Sequence, residues 1–199
     1  IQVINSEDEV LLGTSNSLYQ IKPSSPSNIK NLFDPIKDSF FMGDISIHEI
    51  KNIDNDNYWL GTTEGLIKFN IKTKDYKVFN KKNTNLLNDD VRIILKTSKG
   101  DWWIGTEGGL YKMYVINDDQ VGFTSYLPNS SNPKSISGSV ITSLQEGVNG
   151  NLWIGTYDGA LNFMDINTKE FTSFSVKDGL SNNAIYGILK ADNKLWIST

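Results

Sequence analysis

Apolar positions along the chain gather in short runs separated by turn residues, and nothing in the pattern reads as helix. The first kind of run is β-branched: Ile1 to Ile4, Ile45 to Ile47, Val91 to Leu95, Val140 to Leu144 and Ala184 to Ile188. Such runs, bounded by Gly, Asn and Asp, argue for strands. The last four lead to a turn: Asp54 to Asn57, Ser98 to Asp101, Asn149 to Asn151 and Asp192 to Lys194. Asn149-Gly150 is the clearest hairpin signal among them, because both central residues of such a turn take positive φ. The second strand is Trp153-Ile154-Gly155-Thr156. It recurs as Trp59-Leu60-Gly61-Thr62 and Trp103-Ile104-Gly105-Thr106, as a worn Leu11-Leu12-Gly13-Thr14, and as Trp196-Ile197-Ser198-Thr199. After a tight turn comes a third strand: Leu18 to Ile21, Leu66 to Phe69, Leu110 to Tyr114 and Leu161 to Met164. A fourth is clear at Asp75 to Phe79 and Glu170 to Phe174, and weaker at Ile29 to Phe33 and Val121 to Tyr126. The longer connection after it carries an apolar anchor four positions before the next first strand: Phe41, Leu87, Ile136 and Leu180.

The four Trp residues of the repeat lie 44, 50 and 43 residues apart, within the period range of solenoids and propellers. Four short antiparallel strands in about 45 residues are the makings of a propeller blade. The expected fold is all-β: a β-propeller segment of four complete four-stranded blades plus the first two strands of a fifth. The blades span about 1–40, 41–86, 87–135 and 136–179, with a half-blade at 180–199. A blade is covered on both faces, which suits the unbroken apolar run Leu152-Trp153-Ile154, and the Gly of the motif suits close approach of a neighbouring backbone. An array of this extent is expected to be a piece of a larger ring or to complete itself by self-association, since open blade faces are apolar.

Composition narrows the function classes. The chain is 38% hydrophobic and 21% charged, typical of a globular protein. No apolar run approaches the roughly 20 residues of a membrane span, so no membrane contact is expected of this segment. The first residues lack the basic region and apolar core of a secretory leader. Net charge is -4, and Arg92 is the only basic residue other than Lys. No phosphate-neutralising patch is visible, which argues against nucleic acid as a partner. The absence of Cys removes disulfides, thiolate metal sites and Cys nucleophiles without choosing a compartment.

Candidate chemistry is sparse. The motif Trp residues could stack on sugars, but their fixed place in the second strand fits packing between blades; Trp102 occupies a slot that is Tyr58, Leu152 and Leu195 elsewhere, and reads as core. Asp54-Asn55-Asp56-Asn57 resembles the start of a calcium loop, but Trp59 and Gly65 stand where such a loop needs Gly and Glu, so it reads as a hairpin turn. His48 is the only His; it cannot build a multi-His metal site, a Ser-His-Asp triad would have to rest on it with no nucleophile-elbow sequence, and it reads as a strand residue near the ring axis or surface. No catalytic residue, metal or cofactor is therefore expected. Turns between second and third strands share one end of the ring with the long connections. The candidate ligand-binding residues there are Asn16, Glu64, Glu107, Tyr157 and Asp158, on loops held by a rigid scaffold. A glycosidase or lyase would need paired carboxyl groups, and no repeat breaks pattern to supply a pair. A protein-interaction scaffold remains a third reading beside sensor and enzyme.

The run Leu-Trp-Ile-Gly-Thr, then Asp-Gly-x-Leu, an aromatic strand and Leu-Ser-Asn-Asn resembles the two-component regulator propeller repeat. It is cleanest from Asn132 through Asn149-Gly150-Asn151-Leu152-Trp153-Ile154-Gly155-Thr156 to Ala184; the first copy departs from it, with Leu11 for Trp and Ser17 for Gly. The resemblance implies a periplasmic sensor region of a membrane-spanning, Bacteroides-type hybrid histidine kinase. There such propellers precede a β-sandwich domain and often respond to oligosaccharides. The partners it implies are an oligosaccharide or other small ligand and neighbouring blades of the parent chain or a second copy.

Overall fold

The computed structural model describes residues 5–6, 9–22, 24–33, 45–192 and 194–199. Its strands are β1 (Asn5–Ser6), β2 (Glu9–Gly13), β3 (Leu18–Lys22), β4 (Ser25–Phe33), β5 (Ile47–Asn52), β6 (Asn57–Thr62), β7 (Gly65–Asn70), β8 (Tyr76–Phe79), β9 (Val91–Lys96), β10 (Trp102–Thr106), β11 (Gly109–Asn117), β12 (Gln120–Tyr126), β13 (Ile141–Glu146), β14 (Leu152–Thr156), β15 (Ala160–Met164), β16 (Phe171–Phe174), β17 (Gly187–Ala191) and β18 (Lys194–Ser198). They form four four-stranded antiparallel sheets, β1–β4, β5–β8, β9–β12 and β13–β16, and a two-stranded sheet β17–β18. Each sheet runs in chain order, as in a propeller blade. The first strands of successive sheets, β5, β9, β13 and β17, stand side by side. They are the inner strands of the array.

The alternation of a strand explains why the motif takes the form it does. Along the second strand of each sheet, side chains point by turns to the preceding and the following blade. Tyr58 and Leu60 pack with Leu11 and Ile50 toward the first blade. Trp59, one residue along, packs with Ile94, Trp102 and Ile104 of the third. Trp103 likewise packs with Ile141, Leu152 and Ile154 of the fourth. The core is thus a series of inter-blade clusters, and the Trp and Tyr slots are packing positions, Trp102 included. The motif Gly lies two residues after the Trp, on the same face. A Cβ built on Gly13, Gly61, Gly105 or Gly155 would fall 2.7, 3.0, 2.6 or 2.7 Å from a side-chain carbon of Ile47, Val91, Ile141 or Ile185. One β-branched residue of each following blade therefore sits directly against the Gly.

The motif Thr closes the next turn. Thr62, Thr106 and Thr156 are buried, and their hydroxyls donate to the carbonyls of Gly65 (2.7 Å), Gly109 (3.2 Å) and Ala160 (2.8 Å). The hydroxyl oxygens of Thr62 and Thr106 also accept from the amides of Glu64 and Gly108. Between β13 and β14, Asn149 and Gly150 take φ of 61° and 82°, as the Asn-Gly signal requires. The loop at Asp54 is a hairpin turn held by its own carboxylate, which accepts from the amides of Asp56 and Asn57 at 3.0 Å.

Three details differ from the sequence expectation. Single 3-10 turns occur at Val148–Gly150 and Val176–Asp178. The inner strand of the two-stranded sheet is Gly187–Ala191, three residues later than the apolar run beginning at Ala184. The anchor of the second connection is Leu86, buried, while Leu87 is 60% exposed: in an irregular segment no period tells neighbouring leucines apart. Ile136 is buried as expected. Phe41 and the run Ile1 to Ile4 lie outside the described residues.

Candidate functional site at the channel mouth

The inner strands β5, β9 and β13 each begin with a β-bulge. Ile47 pairs with Thr62 and Glu49 with Gly61, leaving His48 as the extra residue. Val91 pairs with Thr106 and Ile93 with Gly105, leaving Arg92. Ile141 pairs with Thr156 and Ser143 with Gly155, leaving Thr142. Tyr186 holds the equivalent place in the last sheet, immediately after Ile185 and before β17, with its amide donating to the Ser198 carbonyl at 2.8 Å. A bulge re-aims one side chain without disturbing the pairing around it. The residue before the bulge is clamped against the preceding blade's Gly, so the bulged side chain goes toward the ring axis. His48, Arg92, Thr142 and Tyr186 all line one concavity of about 500 Å³, together with Glu107, Tyr157, Val140 and Ile141. That volume is in the range of small-molecule sites, roughly 300–1,000 Å³.

The turns after the second strands supply the rest. The residue directly following the motif Thr is drawn inward by its own amide: Thr63 donates to the Ser46 carbonyl (3.1 Å), Glu107 to Asp90 (3.1 Å) and Tyr157 to Val140 (2.9 Å). Glu107 and Tyr157 accordingly line the mouth. Asn16, Glu64 and Asp158 stand one residue further along their turns and are not among its lining residues. The Asn16 amide donates to Thr14 Oγ1 (3.3 Å). Glu64 is exposed, its amide donating to Thr62 Oγ1. Asp158 ties the turn to the crossover, accepting from the Ser139 amide (3.0 Å), the Ser139 hydroxyl (2.8 Å) and the Val140 amide (3.0 Å). Burial works against its charge, but these hydrogen bonds outweigh it and hold the carboxyl below the ordinary aspartate range.

An ionic network crosses the mouth. The chain's one His and its one Arg meet at Asp90: His48 Nε2 is 3.2 Å and Arg92 Nε 2.9 Å from Asp90 Oδ1. Arg92 Nη2 donates to Asp90 Oδ2 at 3.2 Å and also to the Glu107 carboxylate. Burial pushes the Asp90 carboxyl up; His48 and Arg92 beside it more than compensate, and it lies below its ordinary value. On the far side Tyr157 and Tyr186, both more than half exposed, meet edge to face with centroids 6.0 Å apart. The Thr142 hydroxyl donates to the Ile185 carbonyl. The arrangement offers hydroxyl donors and acceptors, a guanidinium with two carboxylates, and an open aromatic corner. Among the described residues no group of three or more acidic, His or Cys side chains stands where it could hold a metal ion.

Sequence reasoning reached Glu107 and Tyr157 but missed Arg92, Thr142 and Tyr186, and placed His48 only near the axis or surface. The available signal was the alignment of the repeats: these four follow the β-branched residue that packs on the preceding blade's motif Gly, and they differ from one another.

Comparison with known proteins supports the fold. Residues 135–158 match the sequence model of the two component regulator propeller family. No curated protein matches the chain. Among solved structures, the extracellular domain of a B. thetaiotaomicron protein assigned as a hybrid two component system superposes with a TM-score of 0.75 at 20% identity, over 100% of this chain and 25% of that one. A second B. thetaiotaomicron extracellular domain, assigned to a one component system, gives 0.74 at 24%, over 98% and 25%. Virginiamycin B lyase from Staphylococcus aureus gives 0.67 at 17%, over 98% and 61%. At these identities the superpositions speak for the fold. The chain spans a quarter of the length of the two B. thetaiotaomicron chains. The sheets follow one another in blade order, and residues 135–158 of this propeller-like chain match the two component regulator propeller repeat.

Proposed function

We propose that this chain is the ligand-recognition segment of an extracytoplasmic two-component sensor, that it lies in the periplasm, and that it binds oligosaccharides at the channel mouth without transforming them. The observation that carries the reading is the ring of inward-facing positions at the start of the inner strands. Four structurally equivalent places present four chemically different side chains, His48, Arg92, Thr142 and Tyr186, to one cavity, on a scaffold whose other repeated positions serve packing. Specificity residues are expected on such a frame. Sugars suit the lining, because a pyranose offers hydroxyls to charged and polar groups and an apolar face to an aromatic ring. The likeness to extracellular domains of two-component systems supports the sensor role. The signalling output, a histidine kinase in the parent protein, is part of the proposal, as is contact with neighbouring blades or a second copy. Signalling would follow from differential binding, the ligand favouring one arrangement of the parent protein over another.

Binding without turnover fits the carboxylates. Against burial, His48 and Arg92 hold the Asp90 carboxyl below its ordinary value, whereas glycoside cleavage asks for one protonated acid. The test is to titrate the chain with oligosaccharide mixtures from polysaccharide digests, following thermal unfolding and chromatography together. A raised melting temperature with unchanged sugar profiles is the expected result. New products that disappear in His48→Ala or Glu107→Gln would sink the sensor reading in favour of an enzyme.

A further inference from the structure

The charge arrangement at the mouth restricts the ligand further, provided that the mouth is the oligosaccharide site proposed for it. We infer that the ligand of this site is an uncharged, hydroxyl-rich oligosaccharide, not a uronate or sulfated one. Recognition of a carboxylate or sulfate needs a guanidinium or ammonium whose charge is still available. Among the described residues lining the mouth, Arg92 is the one fixed cation, and it is already shared by two carboxylates, Asp90 through Nε and Nη2 and Glu107 through Nη2. His48 is likewise turned onto Asp90. An anionic group entering here would have to displace one carboxylate from Arg92 and then lie beside both. A neutral sugar meets no such conflict. A carboxylate has about four lone-pair sites and a guanidinium about five N–H donors, so both retain hydrogen-bonding capacity after pairing with each other, and a hydroxyl can donate to the one while accepting from the other. Tyr157 and Tyr186 give the sugar ring an apolar corner with phenolic hydroxyls at its edge.

The two carboxylates also give the experiment a sign. Isothermal titration calorimetry on the full chain would compare neutral hexasaccharides (maltohexaose, cellohexaose, xylohexaose and mannohexaose) with acidic ones (hexagalacturonate and chondroitin sulfate hexasaccharide). The variants are Tyr186→Ala, Arg92→Met and Glu107→Gln, each checked for folding by thermal unfolding. Expected is binding from the neutral set alone, weakened about tenfold or more by each variant, the scale of a lost hydrogen bond to a charged group. Binding of an acidic sugar that Glu107→Gln strengthens would overturn the charge assignment and leave the channel mouth as the site. Binding that Tyr186→Ala and Arg92→Met leave untouched, or no binding by either set, would overturn the site itself and the proposed function with it.

Discussion

Gly105 shows how little room the blade interface leaves. A Cβ there would lie 2.5 Å from Ile93 Cγ2 of its own blade and 2.6 Å from Ile141 Cγ2 of the next, well inside contact distance, so Gly105→Ala should destabilise by about 1–3 kcal/mol, the usual cost of overpacking. Ile141→Ala alone should cost about 2–5 kcal/mol. The double variant should cost less than the sum, because the new methyl takes part of the space that Ile141 vacates while its contact with Ile93 remains. Strict additivity in urea denaturation would mean that the two groups do not compete. Asp158 is a different kind of residue, exposed yet fully engaged through Ser139 and Val140. Asp158→Asn should cost about 1 kcal/mol at neutral pH, since one oxygen's hydrogen bonds go while the other's remain. Its folded-state carboxyl is held below the ordinary value, so its contribution is present above the unfolded pKa of about 3.9 and is lost as pH falls through the lower folded value. The stability gap between the parent chain and Asp158→Asn should therefore close on acidification. A gap that widens in acid would refute the tie.

At the scale of elements, the outer strands are held by the crossover that packs along them. The Asn85 side-chain amide donates to the Phe123 carbonyl (2.6 Å) and accepts from the Phe123 amide (2.9 Å), occupying the free edge of β12 as another strand would. The Phe171 amide of β16 donates to the Lys134 carbonyl in the same manner (2.9 Å). Edge strands with open amides invite pairing with other chains, and this device closes them from within. Asn85→Ala should cost about 1 kcal/mol and speed hydrogen exchange at the Phe123 amide; unchanged exchange would show the contact to be idle. By contrast, the tip of the β11–β12 hairpin meets blade two through ion pairs of largely exposed acids, Asp118 with Lys68 and Asp119 with Lys77, and neutralising both should cost under about 1 kcal/mol. The strands themselves were legible because their apolar and turn residues recur at fixed places in every copy. The anchors were half legible: Ile136 stands alone among polar neighbours, whereas Leu86 and Leu87 are adjacent in irregular chain and only the fold chooses between them. The binding ring was the least legible part. His48, Arg92, Thr142 and Tyr186 share a position and no chemistry, and a search for what recurs passes over them. The bulge that turns three of them inward is a matter of pairing register, which residue types alone do not reveal. In the turns, the step from the residue after the motif Thr to the next one separates Glu107 and Tyr157 from Asn16, Glu64 and Asp158, and the sequence marks no difference between those two positions.

For the molecule as a whole, stability resides between blades, as in arrays where each repeat touches only its neighbours. The motif Trp is a built-in probe of that organisation, because the same residue at the same place in the strand meets a different neighbour in each copy. Trp103 faces the complete sheet β13–β16 and is fully buried; Trp59, facing β9–β12, is 3% exposed. Trp153 faces the two-stranded β17–β18, is half-buried, and leans on Phe163 and Phe174 of its own blade, with centroids 4.8 and 5.8 Å away. Trp196 is 60% exposed. If the following blade supplies most of the stabilisation, substitution by Ala should follow that order. Trp59→Ala and Trp103→Ala should each cost about 3–5 kcal/mol, the range for large aromatic-to-Ala changes in a core. Trp196→Ala should fall within about 0.5 kcal/mol of the parent, as exposed substitutions do, and Trp153→Ala should lie between. Urea denaturation followed by circular dichroism, which does not depend on the Trp being removed, measures all four on one scale. Equal costs along the series would mean that each Trp stabilises its own hairpin, and that the blades are independent units joined by their connections. A graded series would place the cohesion of the array in the faces that its repeats present to one another, and would make the clamped residue before each bulge, and with it the geometry of the channel mouth, a property of pairs of blades.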